Sequence, residues 1–210
     1  MLLGAWASGG SRILDIGTGT GLIALMMAQR FPESTVSAVE IDHEAATQAR
    51  ENTASSMFGD RIDIIETAIQ DFRADSRGGY DAIVSNPPFF INALKNPDER
   101  RATARHSDSL TYKELFSAVD RLLDDEGEFS AIIPHDCMQA FVAEAYLHGL
   151  RMVRQTAVRT TPRRQPRRYL LAFAKKRGTS EMRHDEQCLM SSDGSRSEWY
   201  SGMTADFYIK

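Results

Sequence analysis

Residues 13 to 31 read ILDIGTGTGLIALMMAQRF and set Gly17, Gly19 and Gly21 between an apolar run and a helical pattern. Glycines at such a turn let the backbone approach a ligand closely and take dihedrals that other residues resist. The dinucleotide fingerprint G-x-G-x-x-G rests a pyrophosphate on a helix N-terminus. Here the spacing is G-x-G-x-G, and Asp15 stands two residues before the first glycine. A carboxylate at that point would repel a pyrophosphate and suits an ammonium. Glu40, 23 residues beyond Gly17, ends a β-branched run, where a carboxylate meets the ribose hydroxyls of an adenosine-containing cofactor. Asp15, Gly17, Thr18, Gly19, Gly21, Glu40 and Ile41 therefore predict a site for S-adenosyl-L-methionine, whose amino-acid end carries the ammonium. A tight structural turn followed by a surface Glu is the plainer alternative.

A second group, SNPPFF over residues 85 to 90, closes another apolar run. Pro87 and Pro88 stop a strand because neither can donate to the ladder. That accounts for the prolines but not for the preceding Asn86 or the following Phe89 and Phe90. An exocyclic amino nitrogen on a base has its lone pair delocalised into the ring and is a poor nucleophile. The Asn86 amide oxygen and the Pro87 carbonyl could each accept one of its N–H groups and aim the lone pair at a methyl donor. Phe89 would stack on the base plane, as extruded bases are commonly held. A sulfonium leaves readily, so the chemistry needs positioning rather than a strong general base.

The elements that must carry these residues alternate as in an α/β sheet. Strands are predicted at SRILDIG, TVSAVEID, DRIDIIET, YDAIVSN and EFSAIIP. Helices are predicted at GLIALMMAQRF, at HEAATQARENTASS with Asp42 as its N-cap, at YKELFSAVDRLL closed by DDEGE, and at DCMQAFVAEAYLHGL. The opening LLGAWA reads as helix, residues 89 to 110 as a long polar loop, and RRYLLAFAKK as a last strand returning antiparallel to LRMVRQTAVR. Such an order implies parallel pairing through right-handed crossovers, with ligands beyond the carboxyl ends of the strands. The expected architecture is a Rossmann-like, mostly parallel seven-stranded twisted sheet with helices on both faces and an antiparallel last strand. One domain spans 1–210, with 178–210 as a polar C-terminal extension.

Composition agrees with a globular chain: 42% hydrophobic and 26% charged residues. The longest apolar run, Leu22 to Ala28, is far shorter than a membrane span. Cys137 and Cys188 form no metal or disulfide pattern, and the histidines show no metal spacing, so a cytoplasmic protein without a metal or membrane partner, and a monomer, is expected. The formal charge of −4 is uneven: Arg151 to Arg177 holds ten Lys or Arg and no acid, leaving 15 basic against 29 acidic residues elsewhere, a balance of −14. One concentrated basic segment on an acidic body suits a polyanion. Arg163, Arg164, Arg167 and Arg168 are its candidate phosphate contacts, and Arg105 and His106 could touch the same partner; a solvated, solubilising loop is the alternative for each.

DIGTGTG, Glu40 and NPPF resemble the class I S-adenosylmethionine-dependent methyltransferases of the N-P-P-Y group, which act on adenine N6, guanine N2 or glutamine amides. LLGAWA, SNPPFF, RATARH and the closing YSGMTADFYIK are similar, further, to the tRNA1(Val) adenine-N6 methyltransferase family. The resemblance implies tRNA as substrate, modified at the adenine beside the anticodon. It implies a preceding segment, ending in a Lys-Val-Gly-Thr-Asp-Gly-like stretch, before the start of this sequence. Where relatives use an Asp after the third strand to hold the cofactor adenine, this sequence has Ala68, so backbone groups at Ala68 and Ile69, or Asp71, would serve. Phe89 replaces the commoner Tyr, which leaves guanine-N2 methylation of rRNA open. Glutamine methylation of a protein fits the same core but has little use for the basic segment. A catalytically silent RNA-binding module would have no reason to keep Asp15, Glu40 and Asn86.

Overall fold

A computed structural model describes residues 1–74, 78–88, 110–175 and 182–208. Helix α1 (Leu2–Trp6) precedes β1 (Arg12–Ile16), α2 (Leu22–Arg30), β2 (Thr35–Glu40), α3 (His43–Ala54), β3 (Ile62–Glu66) and β4 (Tyr80–Ser85). There follow α4 (Tyr112–Leu122), β5 (Leu123–Pro134), α5 (Met138–Leu147), β6 (Arg151–Arg159), β7 (Arg168–Ala174), β8 (Arg183–Cys188) and α6 (Glu198–Thr204). Among the described residues these strands form one sheet in the order β3-β2-β1-β4-β5-β7-β6-β8. Only β7 is reversed, lying antiparallel to both β5 and β6.

Local sequence explains the helix starts. Asp42 caps α3 by accepting from Ala45 N at 2.8 Å, as its position predicts. Helix α4 begins with a capping box in which Thr111 Oγ1 accepts from Glu114 N (3.2 Å) and Glu114 Oε2 accepts from Thr111 N (2.9 Å). Its buried face, Leu115, Phe116, Ala118, Val119 and Leu122, follows helical spacing.

Strand alternation splits the core in two. Leu14, Ile16, Ile83, Phe129, Ala131 and Phe173 pack with α4 and α5, whereas Ile13, Val36, Ala82, Val84 and Leu170 pack with α1 and α2. Asp15 alternates with Leu14 and Ile16 and so lies on the α2 side.

Two expectations need correcting. DDEGE does not merely close α4: Leu123 is buried and pairs with Tyr80, so the chain enters the sheet at once, and the acidic residues form a bulge before Glu128 pairs with Ala82. The sheet also has an eighth strand where a polar extension was expected. RHDEQC lacks an apolar face because β8 is an edge strand held by its ladder to β6 and by polar pairs. Thr156 Oγ1 donates to Asp185 (2.6 Å), Gln155 meets His184 (3.0 Å), and Arg159 pairs with Glu186.

Phe116 is fully buried against the rings of Phe129, Phe141 and Phe173, with centroids 4.7 to 5.9 Å away. Phe116→Ala should cost about 3–5 kcal/mol, lowering the thermal midpoint by about 10 °C at this chain length. A loss of only a degree or two in a melting curve would show that this cluster does not anchor α4 on the sheet.

Candidate active site

Parallel pairing brings the sequence-predicted groups to one edge. Ile16, the last residue of β1, pairs with Val39 of β2 and with Ser85 of β4. Gly17 and Asn86 therefore leave the sheet on adjacent strands, roughly 5 Å apart. Ser85 Oγ donates to Ile16 O at 2.9 Å in the buried interior and ties the two exits together. Glu40 ends β2 opposite Glu66 of β3.

The glycine loop is built on positive φ at Gly17 (+68°), Gly19 (+58°) and Gly21 (+84°). A Cβ on Gly17 or Gly19 would meet no protein atom within 4 Å, so the fold itself leaves the space above them clear. The backbone is pinned from below: Gly17 N and Thr18 N both donate to Val39 O (2.9 and 3.1 Å). Glu40 braces it from the side, Oε2 accepting from Gly19 N (2.8 Å) and Oε1 from Ile41 N and Asp42 N (2.9 and 3.0 Å). Three of about four acceptor sites on that carboxylate are thus filled, and the one left, on Oε2, could take a hydroxyl.

Asp15 lies beneath the loop, 0% exposed, rather than on the cleft wall. Thr18 Oγ1 donates to its Oδ2 at 2.6 Å, while Oδ1 has no partner. Burial pushes its carboxyl up to about 7; hydrogen bonds from Thr18 and the Ala24 backbone oppose that, and the charge of Glu40 adds to it. An orphaned, buried carboxylate oxygen under an open glycine cradle fits a cationic ligand group, which would supply the missing partner.

The loop and strand ends bound a cleft of about 930 Å³. Of the predicted residues, Gly17, Glu40, Ile41, Ala68, Ile69, Asp71, Asn86, Pro87 and Pro88 line it, whereas Asp15, Thr18, Gly19 and Gly21 do not. Asn86 is exposed to the cleft and Pro87 is buried behind it. Phe89, Phe90, Arg105 and His106 lie outside the described residues. Ala68 O accepts from Asp71 N and Phe72 N, so this turn offers a fixed backbone to the cleft.

His43, Gln70 and Glu114 also line the cleft, unannounced by the motifs. Hydrogen bonds from Thr111, and a weaker one from Gln70, hold the Glu114 carboxyl below its ordinary range. The T-x-x-E pattern of the capping box marks Glu114 in the sequence; nothing local marks His43, which meets Glu66 at 2.8 Å. No group of three or more His, Cys, Asp or Glu among the described residues could hold a metal, and no described helix is long and apolar enough to cross a membrane.

The basic segment divides. Arg154 stacks 3.6 Å over Trp6 and pairs with Glu128 (3.0 Å), Arg159 pairs with Glu186, and Lys175 lies 3.9 Å from Asp120. Arg163, Arg164, Arg167 and Arg168 are exposed around the β6–β7 loop. Pro134, the last residue of β5, pairs with Arg168, so that loop stands on the same carboxyl edge as Asn86.

Residues 2–157 match the methyltransferase small domain family. The whole chain aligns, at 43% identity over 88% of the relative, with a tRNA1(Val) (adenine(37)-N6)-methyltransferase of Bacteroides thetaiotaomicron. A relative of the same description in Aeromonas hydrophila is 41% identical over the whole chain and 88% of its own length. Among solved structures, a predicted O-methyltransferase of Agrobacterium tumefaciens superposes with a TM-score of 0.75 at 16% identity, over 100% of this chain and 97% of that one, a likeness of fold.

Asp15→Asn tests the buried carboxyl. A folded-state value raised above the unfolded one gives stability at low pH that is lost as pH rises toward about 7. Without ligand, the neutral variant should therefore be more stable than wild type at pH 8 by on the order of 4 kcal/mol. The gain should vanish by about pH 4, read by chemical denaturation at both pH values. An equal difference at both would mean that burial does not raise the Asp15 pKa.

Proposed function

The chain belongs to the methyltransferase small domain family and, with its full-length relatives, to the tRNA1(Val) (adenine(37)-N6)-methyltransferases, and from that premise we propose that it methylates the exocyclic N6 of an adenine in tRNA, as a cytoplasmic RNA-modifying enzyme. The observation that carries the reading is the pairing of Ile16 with Ser85, which sets Asn86 beside the open glycine cradle in a cleft large enough for a nucleoside cofactor and a base. S-adenosyl-L-methionine supplies an electrophilic methyl on a sulfonium. Its ammonium would find the unpartnered Oδ1 of Asp15 through the cradle of Gly17, Thr18, Gly19 and Gly21. Its ribose would take the remaining acceptor on Glu40, and its adenine would lie against Ile41, Ala68 and Ile69.

Asn86 and Pro87 then act on the substrate. The amide oxygen and the proline carbonyl each accept one N–H of the amine, which holds the nitrogen lone pair in line with the methyl. Both contacts strengthen as the nitrogen becomes tetrahedral and its N–H groups more acidic, so their worth falls on the transition state. The proton released at nitrogen can pass to water once the transfer is complete.

Two measurements test this. A strain lacking the gene should lose N6-methyladenosine from one tRNA, seen by mass spectrometry of tRNA digests. The wild-type gene should restore it and Asn86→Ala should not. In vitro that variant should lose more than tenfold in kcat, at least ~1.4 kcal/mol of transition-state stabilisation, with cofactor affinity kept. A tRNA pool unchanged by deletion would overturn the substrate.

The arginine loop supports tRNA over a protein substrate. Phosphate contacts release counterions, at about 0.7–0.9 in the logarithmic salt slope for each. Replacing Arg163, Arg164, Arg167 and Arg168 together with Gln should reduce the slope of tRNA binding by about 3 and raise KM for tRNA. An unchanged slope would return these residues to the role of a solvated loop.

A further inference from the structure

His135 and Tyr169 stand on the Asn86 edge, and the reading above uses neither. His135 is the first residue beyond β5 and is exposed. Its backbone N–H donates to Arg167 O at 3.1 Å, which fixes the end of β5 to the basic loop. Its ring lies 5.8 Å from that of Tyr169 at an angle of 29°, with Nδ1 3.3 Å from the tyrosine hydroxyl. Tyr169 is only 9% exposed, so the histidine ring is backed by a fixed aromatic side chain and presents itself to solvent. Ser85 pairs with Ala131, which puts the backbones of Asn86 and His135 about 11 Å apart by strand spacing and rise. Arg167 and Arg168 are exposed beside it.

A flat, supported ring flanked by guanidinium groups is the surface that single-stranded nucleotides recognise: bases stack on the ring and phosphates meet the cations. An adenine that inserts its amine at Asn86 must leave its stack, and the nucleotide beside it loses a neighbour. We propose that His135 replaces that neighbour, stacking on a nucleotide that flanks the methylated adenine while Arg167 and Arg168 take the adjoining phosphate. The inference rests on the tRNA reading above and adds to it a residue that grips the substrate outside the methyl-transfer pocket.

The experiment uses the full chain and an RNA stem-loop with an unpaired adenine, carrying fluorescent 2-aminopurine in place of the nucleotide on its 5′ or its 3′ side. Wild type should quench the fluorescence at one of the two positions on binding. His135→Ala should abolish that quenching and raise KM for RNA by about tenfold, the scale of one lost base–aromatic stack. The effect should fall on KM rather than on kcat, with an unaltered thermal midpoint. His135→Phe, which keeps the plane and loses the nitrogens, should restore quenching and KM. His135→Ala with wild-type KM and quenching overturns the inference alone, as does rescue by His135→Gln but not by Phe, which would assign a hydrogen bond instead. Wild type that transfers no methyl group to any tRNA overturns the function and this inference with it.

Discussion

The parallel pairing of β1 with β2 on one side and β4 on the other is the constraint on which the site depends. Parallel strands end in the same direction, so in-register pairing of Ile16 with both Val39 and Ser85 delivers the glycine loop, Glu40 and Asn86 to one edge without any of them touching in sequence. The hydrogen bond from Ser85 to Ile16 O holds that register in the dry interior, where leaving the hydroxyl unpaired would be costly. Two core layers, one on each face, bury β1 between them.

Within that frame the two carboxylates have different duties. Glu40 is at a strand end, partly exposed, and gathers three backbone N–H groups, so it fixes the loop conformation while keeping one acceptor free. Asp15 is buried on the α2 face with an oxygen unsatisfied, and its raised pKa reflects the cost of that position. A buried group without a partner destabilises the free protein and favours any ligand that completes it.

The other side of the edge is shaped by the single reversed strand. Because β7 runs against its neighbours, its first residues lie level with the last of β5 and β6, and Arg167, Arg168 and Tyr169 come up beside His135. Acidic residues distant in sequence then sort the basic segment. Glu128 and Glu186 pair with Arg154 and Arg159 of β6, and the loop arginines stay exposed to solvent.

The sequence by itself determined whatever depends on residues near one another in the chain. The strand and helix order through β7, the capping of α3 by Asp42, the glycine loop and Asn86 before its two prolines were all legible, since periodicity, caps and turn residues act over a few positions. Glu40 was legible because a strand end lies at a fixed distance from the loop it serves. Strand β8 was not, for a polar edge strand buries no apolar face and owes its place to the exposed ladder of β6. Nor did the sequence reveal that Asp15 lies under the loop, that Arg154 and Arg159 of the basic segment pair with acidic residues across the sheet, or that His135 stands beside Arg167. Those follow from register and strand order, which bring together residues up to a hundred or more positions apart, and only the tertiary structure decides them because burial and charge are set by neighbours across the sheet rather than along the chain.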